Sequence, residues 1–314
     1  MNTTSNRNKQ ECNLCPRRCG ARRGAGERGI CGVDSSIRVS RAALHMWEEP
    51  CISGTRGSGA VFFAGCPLHC VYCQNYEIAD GTGTIISTER LAEIFLELQE
   101  KQAHNINLVT PTQYAPEIAE AVRMAREQGL FLPIVYNCSG YESVDSLKKL
   151  EEIVDIYLTD YKYPDPEGAR RYSRAPDYPE TALAAVREMV RQQPVSQFDE
   201  NGIMQKGVIV RHLLLPGRVR AGKEAVRILQ ESFGDRIYLS LMNQYTPFSR
   251  VREKYPELAR KVTGREYRRL LEYAMELGME QGFFQEGDTA EESFIPAFDG
   301  EGVASATDRN AGSP

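Results

Sequence analysis

The sequence predicts an α/β fold: a partial (β/α)6 TIM-like barrel preceded by a small N-terminal cysteine-rich metal-binding segment. Three observations predict it. Six short β-rich apolar runs recur from residue 60 onward, amphipathic helical patterns lie between and after them, and seven of the nine cysteines fall into two tight groups, residues 12–31 and 66–73.

The strand-like runs are Ala60–Ala64, Ile106–Thr110, Leu132–Tyr136, Val154–Thr159, Val208–Leu213 and Ile237–Leu241. After the first of them Leu91, Ile94, Phe95 and Leu98 repeat at helical spacing, with Ser87 placed to cap the start. Ile118, Val122 and Ala125 form a second stripe, and Leu183, Val186 and Met189 a later one. Ala225, Ile228 and Leu229 mark another, and Tyr267, Leu271, Ala274 and Leu277 the last; a weaker helix runs from near Ser143 to Glu152. Strand–helix units in succession imply parallel strands joined by right-handed crossovers, and six such units leave open a barrel that eight would close. The chain therefore divides into a cysteine-rich segment, residues 1–59, the barrel, residues 60–281, and a C-terminal extension, residues 282–314. The last stretch, Ala304 to Pro314, is expected to be disordered. Residues 163–178, with Pro164, Pro166 and Pro176, are long for a plain connection and predict a functional lid.

Length and composition bound the function. The chain has 314 residues, 41% hydrophobic and 26% charged, which suits one large domain with additions. No apolar run approaches the roughly 20 residues of a membrane span, and the polar stretch Met1 to Gln10 does not read as a secretory signal. A net charge of −5 argues against a nucleic-acid-binding domain. The expectation is a cytoplasmic protein, where thiols stay reduced and clustered cysteines point to metal ligation. Cys51 and Cys138 stand apart and read as small buried residues.

In parallel α/β sheets chemistry collects at the C-terminal ends of the strands, and the polar residues follow that rule. Strand one runs into Cys66, strand two into Thr110-Pro111-Thr112, strand three into Asn137-Cys138-Ser139-Gly140 and strand four into Asp160-Tyr161-Lys162. Strand five carries Arg211 and His212, and strand six leads to Asn243-Gln244-Tyr245. Asp160 with Lys162 also has a plain reading as a surface ion pair, and His212 as a satisfied core histidine.

The segment Gly65-Cys66-Pro67-Leu68-His69-Cys70-Val71-Tyr72-Cys73 carries the sharpest signal. Its spacing lets one short loop direct three thiolates at one metal cluster. Iron–sulfur clusters are held by four cysteines as a rule, so three leave one iron open to another ligand. A zinc site there would need a fourth ligand such as His69 or Cys51. Gln74 and Asn75 read as shaping the turn that follows.

Cys12, Cys15, Cys19 and Cys31 form a second, four-thiolate set, with Gly20, Gly24, Gly26, Gly29 and Gly32 supplying sharp turns. Two occupants fit it: a structural zinc, or an auxiliary [4Fe–4S] cluster that relays electrons. Arg17, Arg18, Arg22, Arg23 and Arg28 surround the ligands. They read as a basic surface balancing the site's charge, or as a docking patch for an acidic electron donor such as flavodoxin or ferredoxin.

The triplet resembles the signature of the radical S-adenosylmethionine (SAM) superfamily, and a partial barrel following it matches that superfamily's core. The resemblance implies that the open iron chelates the amino and carboxylate groups of SAM. One electron from the reduced cluster then cleaves the sulfur–C5′ bond, and the 5′-deoxyadenosyl radical removes a hydrogen atom from a substrate. Within the superfamily, Asp160-Tyr161-Lys162, the Tyr136–Tyr141 turn and the Arg211–Gly217 strand end are similar to elements of the pyruvate formate-lyase-activating enzymes. Those enzymes place a glycyl radical on a partner. The Cys-x2-Cys-Pro start, Asn105–Thr112, Asn243–Pro247 and Phe294-Ile295-Pro296 resemble a little-characterised branch of activating-enzyme-like proteins.

The resemblance implies that Tyr72, Thr110, Pro111, Thr112, Asn137, Ser139, Asp160, Lys162 and His212 line the SAM site. It also implies a glycyl radical enzyme as substrate and a protein electron donor; the alternatives are modification of another peptide or of a small molecule, or a non-catalytic iron–sulfur scaffold that has lost SAM binding. Two departures stand out. Thr110-Pro111-Thr112 replaces that group's Gly-Gly-Glu stretch, where hydroxyls and carbonyls could accept from the SAM ammonium but without charge assistance. Asn137 stands where the group has an aspartate.

Overall fold

The computed structural model describes residues 11–285 and 296–304. Its strands are β1 (Arg38–His45), β2 (Ser58–Phe63), β3 (Thr84–Ile85), β4 (Ile106–Val109), β5 (Ile134–Cys138), β6 (Ile156–Asp160), β7 (Gln197–Phe198), β8 (Met204–Leu213), β9 (Tyr238–Met242) and β10 (Gly282–Phe284). The helices are α1 (Pro50–Ser53), α2 (Tyr76–Ala79), α3 (Thr88–Glu100), α4 (Ala115–Glu127), α5 (Val144–Lys148), α6 (Pro166–Ser173), α7 (Tyr178–Gln192), α8 (Val219–Phe233), α9 (Ser249–Arg252) and α10 (Gly264–Glu276). Phe294 and Ile295 lie outside the described residues, as do Met1 to Gln10 and 305–314.

One sheet runs in the order β10-β9-β8-β6-β5-β4-β2-β1-β3, with β7 pairing β8 off that path. From β2 to β10 the neighbours on the path are parallel, while β1 pairs β2 and β3 antiparallel. All six predicted strands are present. β1, β3, β7 and β10 were not legible: three are two or three residues long, and β1 carries Arg38 and Arg41 inside a segment that reads as a metal knot.

The two faces of the sheet differ. Val61, Phe63, Leu108, Tyr136, Val210 and Leu241 pack with the apolar stripes of the helices in one continuous core. Those stripes are the predicted ones: Leu91, Ile94, Phe95 and Leu98 of α3 are buried, with the Ser87 hydroxyl accepting from Arg90 N–H. Glu266 closes a capping box on Thr263 at the start of α10. The opposite face carries two small apolar clusters, one of Cys51 and Ile52 from α1 with Val135, Ile156, Leu158 and Ile209, the other of Ala60, Phe62, Ile78 and Val109. Strand residues alternate faces with period two, so this second face also holds Asn137, Asp160 and Arg211.

The expected lid is a helix. Asp165 accepts from Gly168 N–H, Pro166 occupies the first turn, and Tyr172 and Ser173 of α6 are buried. Proline-rich spacing reads as a loop in the sequence, yet Pro166 sits in the first helical turn, where its missing N–H costs nothing. The C-terminal extension returns to the sheet: Ala42 N–H donates to Glu301 O at 2.8 Å, and Gly300 N–H to Ser40 O at 3.0 Å. No helix among the described residues is long and apolar enough to cross a membrane.

Candidate functional site

β2 ends at Phe63, and the chain turns through Gly65 with φ +87°. A side chain at Gly65 would meet the Cys31 carbonyl at 2.8 Å, so only glycine fits. The loop that follows is pinned from several sides. Val71 N–H donates to Tyr172 O at 2.9 Å, Cys66 N–H to Cys31 O at 3.1 Å, and Cys73 N–H to Cys70 O at 3.1 Å. The Ser173 hydroxyl donates to Cys70 Sγ at 3.2 Å. Leu68 is fully buried, and Tyr72 sits among Tyr163, Tyr172 and Tyr245 at ring distances of 6.2 to 6.4 Å. Tyr72 thus anchors the loop in the core.

Burial pushes the Cys66 thiol up to about 11 and the Cys73 thiol up to about 12, and neighbouring Cys70 adds to both. Lys162 opposes the shift at each. These thiols stay protonated until a metal displaces the proton. Among the described residues no three His, Cys, Asp or Glu side chains are grouped to hold one metal ion. Three thiols on one loop match the donor set of an iron–sulfur cluster, which takes thiolate ligands.

Lys162 belongs to a polar network on the second face of the sheet. Its Nζ donates to Asp160 Oδ2 at 2.5 Å, and Arg211 Nε donates to Asp160 Oδ1 at 2.9 Å. Register explains the meeting, because Asp160 on β6 pairs with Arg211 on β8, which pairs with Ser240 on β9. Arg211 also donates to Asn137 Oδ1 at 2.6 Å and to Glu48 Oε2 at 3.2 Å. Glu48 Oε1 accepts from Asn107 at 3.0 Å and Asn137 at 3.1 Å.

Burial acts to raise the Asp160 carboxyl, but Lys162 and Arg211 outweigh it and hold it below the ordinary value. Burial alone would lower the Lys162 ammonium; Asp160 and Cys70 overcome it and raise it. Glu49 is raised by burial, and its Oε2, like Asn107 Oδ1, is buried with no partner among the described residues. Glu48 and Glu49 were missed because they follow β1 inside the cysteine-rich segment. The only signal was a Trp-Glu-Glu-Pro run with no periodicity.

The structure distributes the predicted SAM residues unevenly. Asn137, Asp160 and Lys162 meet in the network just described. Thr110 has φ +59° and donates its N–H to Asn137 O at 2.9 Å, at the end of β4. Pro111 opens the turn Thr112–Tyr114, and the buried Thr112 hydroxyl donates to Glu142 at 2.6 Å. Glu142 also accepts from Tyr136 at 3.2 Å, and burial pushes it up to about 7. The Ser139 carbonyl accepts from the Tyr178 hydroxyl at 2.8 Å. His212 lies on the helix-covered face, 3% exposed, with Nδ1 2.7 Å from Tyr161 O and Nε2 against Gly222 of α8. Adjacent strand residues point to opposite faces, so Arg211 occupies the network and His212 the core. Gln113, not singled out by sequence, ties the cysteine loop to β4 through bonds to Ala64 O, Gly65 O and Thr110 O.

The four-cysteine segment is a compact knot docked on this loop. Cys12 N–H donates to Ala21 O and Gly20 N–H to Cys12 O, both at 3.1 Å. Cys12, Cys15, Cys19 and Cys31 border one small void. Burial pushes Cys15 up to about 12 and raises Cys31. Two of the five arginines are committed to structure. Arg17 donates to Pro67 O, Arg174 O and Ser173 O at 2.9, 2.6 and 2.8 Å, and buried Arg23 to Gln113 O and Asp34 O at 2.8 and 2.6 Å. Arg18, Arg22 and Arg28 are exposed.

A cleft of about 180 Å³ runs beside β1, bordered by Arg41, His45, Trp47, Phe62 and Pro296. Burial lowers His45 to about 4, with Arg41 adding to the shift. Leu44, Met46 and Trp47 are exposed at its rim.

The sequence profile of the radical SAM superfamily matches residues 60–217, half of the chain. Uncharacterized protein MJ0674 of Methanocaldococcus jannaschii is 28% identical over 275 residues, covering 84% of this chain and 74% of that protein. Streptococcus suis SuiB bound to precursor peptide SuiA superposes with a TM-score of 0.48 at 13% identity, and SuiB bound to S-adenosylmethionine with 0.46 at 15%. Each covers 71% of this chain but only 46% and 48% of the SuiB chains, so the match spans under half of their length.

Proposed function

The chain belongs to the radical SAM superfamily, and from that premise we propose that Cys66, Cys70 and Cys73 hold a [4Fe–4S] cluster with one iron open to SAM. The cluster, when bound, supplies the electron that splits SAM and yields a 5′-deoxyadenosyl radical for hydrogen abstraction. The observation that carries the reading is the placement of the three thiols on one loop at the C-terminal end of β2, with Lys162, after the end of β6, close enough to act electrostatically on each of them. Helices cover one face of the sheet and polar groups occupy the other, which supports reading it as a partial barrel whose lumen is the second face.

The chain's own residues then take distinct parts. Lys162, held by Asp160, presents a cation next to the thiolates and offsets their charge. Asn137, Arg211, Asp160 and Glu48 form a fixed polar floor, in which opposite charges hold one another in place before any ligand arrives. Thr110 and Ser139 sit at the strand ends where hydroxyls and carbonyls can accept from the SAM ammonium. His212 takes no part, since it faces the helices. Tyr72 acts by packing.

We further assign the substrate to a protein segment, with a backbone glycine as the atom donor. What supports this is the resemblance of Asp160-Tyr161-Lys162 to the activating enzymes, and the exposed apolar rim of the β1 cleft, since exposed apolar side chains grouped at a cleft mark protein contacts. The test is 5′-deoxyadenosine release from anaerobically reconstituted enzyme with SAM and dithionite. Cys66→Ala is expected to remove it, a loss of about a thousandfold or more, as expected for removing the group that carries the chemistry. Equal release from the variant sinks the assignment of the cluster. Absence of a glycyl radical signal on every protein that the reduced enzyme and SAM meet sinks the assignment of the substrate.

A further inference from the structure

We propose that Cys12, Cys15, Cys19 and Cys31 hold a second iron–sulfur cluster, which passes one electron to the cluster at Cys66, Cys70 and Cys73. The proposal rests on the preceding assignment of the triplet. It adds a redox site in a segment outside the residues that match the superfamily.

Place favours iron over the zinc that the sequence also allows. Cys31, a ligand of this set, accepts from the N–H of Cys66, a ligand of the other, at 3.1 Å, a junction that a purely structural zinc would not use. The four cysteines border one small void together with Arg17 and Arg23. Cys19 Sγ and Cys31 Sγ lie 3.3 and 3.4 Å from the point where a Gly29 side chain would begin, so that glycine keeps the space beside the sulfurs open.

The charge of such a site is met in place. Four thiolates around a cluster carry net negative charge in a poorly hydrated place. Arg17 and Arg23 border the void, and Arg23 is 6% exposed. Two of its donors reach Gln113 O and Asp34 O, while the buried Nε has no partner among the described residues. A buried guanidinium with an unused donor beside four cysteines suits an anionic group in that void.

The relay follows from how the two sets touch. Cys66 N–H donates to Cys31 O at 3.1 Å, so a ligand of one set is joined to a ligand of the other by a single hydrogen bond. The route runs from Cys31 Sγ along its backbone, across that bond and out to Cys66 Sγ. Arg17 on Pro67 O and the His69 ring 2.9 Å from Ile30 O fasten the same junction on either side. The electron source is a one-electron protein carrier of the ferredoxin or flavodoxin class. The carrier is oxidised by one electron, the knot cluster is reduced and then reoxidised, and the triplet cluster is reduced. No bond forms or breaks and no proton moves.

The first test uses the full chain with Cys66→Ala, Cys70→Ala and Cys73→Ala combined, reconstituted anaerobically with iron and sulfide. About four irons per chain and the spectrum of a reduced four-iron cluster are expected, against about eight irons in the unaltered chain. Uptake of one zinc and no iron overturns the proposal. In the second test Cys15→Ala with Cys31→Ala is expected to keep the triplet cluster's iron and its dithionite-driven reduction while losing reduction by reduced ferredoxin. Unchanged ferredoxin-driven reduction overturns the relay. If that variant fails to fold, the iron count of the first still decides. An unaltered chain that binds about eight irons but releases no 5′-deoxyadenosine marks failure of the SAM assignment and not of the second cluster.

Discussion

The 66–73 loop and the 12–31 knot bring thiols together by different means. The loop leaves the end of a buried strand and is fastened by backbone bonds to α6, by Leu68 in the core and by Tyr72 in a ring of tyrosines. Its geometry is set by the sheet and the core. The knot has one short turn, Arg23–Ala25, and buries few apolar side chains of its own, chiefly Ala21, Cys31 and Val33. It is held by glycine turns, by hydrogen bonds and by arginines that reach onto the barrel. The contrast teaches that a strand end packed into a core fixes a loop by itself, whereas a segment poor in apolar surface depends on turns, on docking and on whatever its cysteines bind.

Metal removal breaks this comparison most directly. After chelation, amides of residues 12–31 are expected to exchange at rates close to those of an unfolded chain, while those of β2 and the Val71 amide remain protected. Hydrogen exchange read by mass spectrometry checks it, and equal protection in both regions would show that the knot is self-supporting. Arg17→Ala comes next. It removes three charge-assisted bonds from the knot to the loop and α6, so about 2–3 kcal/mol of stability should be lost in urea unfolding. The triplet's iron should be retained.

Glu142→Gln acts on the support under the knot, where Ser146 of α5 donates to Leu14 O. Burial raises Glu142 from its ordinary 4.5 to about 7. A raised carboxyl contributes stability below its unfolded value and loses it as pH rises through its folded value, so the native chain should weaken between pH 4.5 and 7. The variant should lack that decline and be more stable at pH 8 by on the order of 2 kcal/mol. The smallest effect is expected from Ser173→Ala, which removes one donor to Cys70 Sγ. It should cost about 1 kcal/mol. It should also lower the reduction potential of the triplet cluster, since hydrogen bonds to sulfur favour the reduced form, while the knot's spectrum stays unchanged.

Much of the site was legible. The triplet, the six parallel strands and the α3 stripe follow from spacing, because alternation and helical periodicity are local properties that survive in any context. Asp160 and Lys162 were found for the same reason: they end a strand. What escaped depends on partners distant in sequence. Arg211 and His212 are adjacent, yet register alone puts the first among the network carboxylates and the second against Gly222. Glu48 reaches Arg211 across 163 positions of chain.

By itself, then, the sequence determined which residues are candidates for chemistry, how the thiols are spaced and which residues form the parallel strands, since these rest on residue type and short-range pattern. Only the tertiary structure decided that Glu48 and Arg211 complete the polar floor, that the 163–178 stretch contains a helix bonded to the cysteine loop, and that the two cysteine groups meet through Cys31 and Cys66. The reason is physical. A side chain's face, its desolvation and its partner's charge are set by long-range packing, which no local pattern encodes.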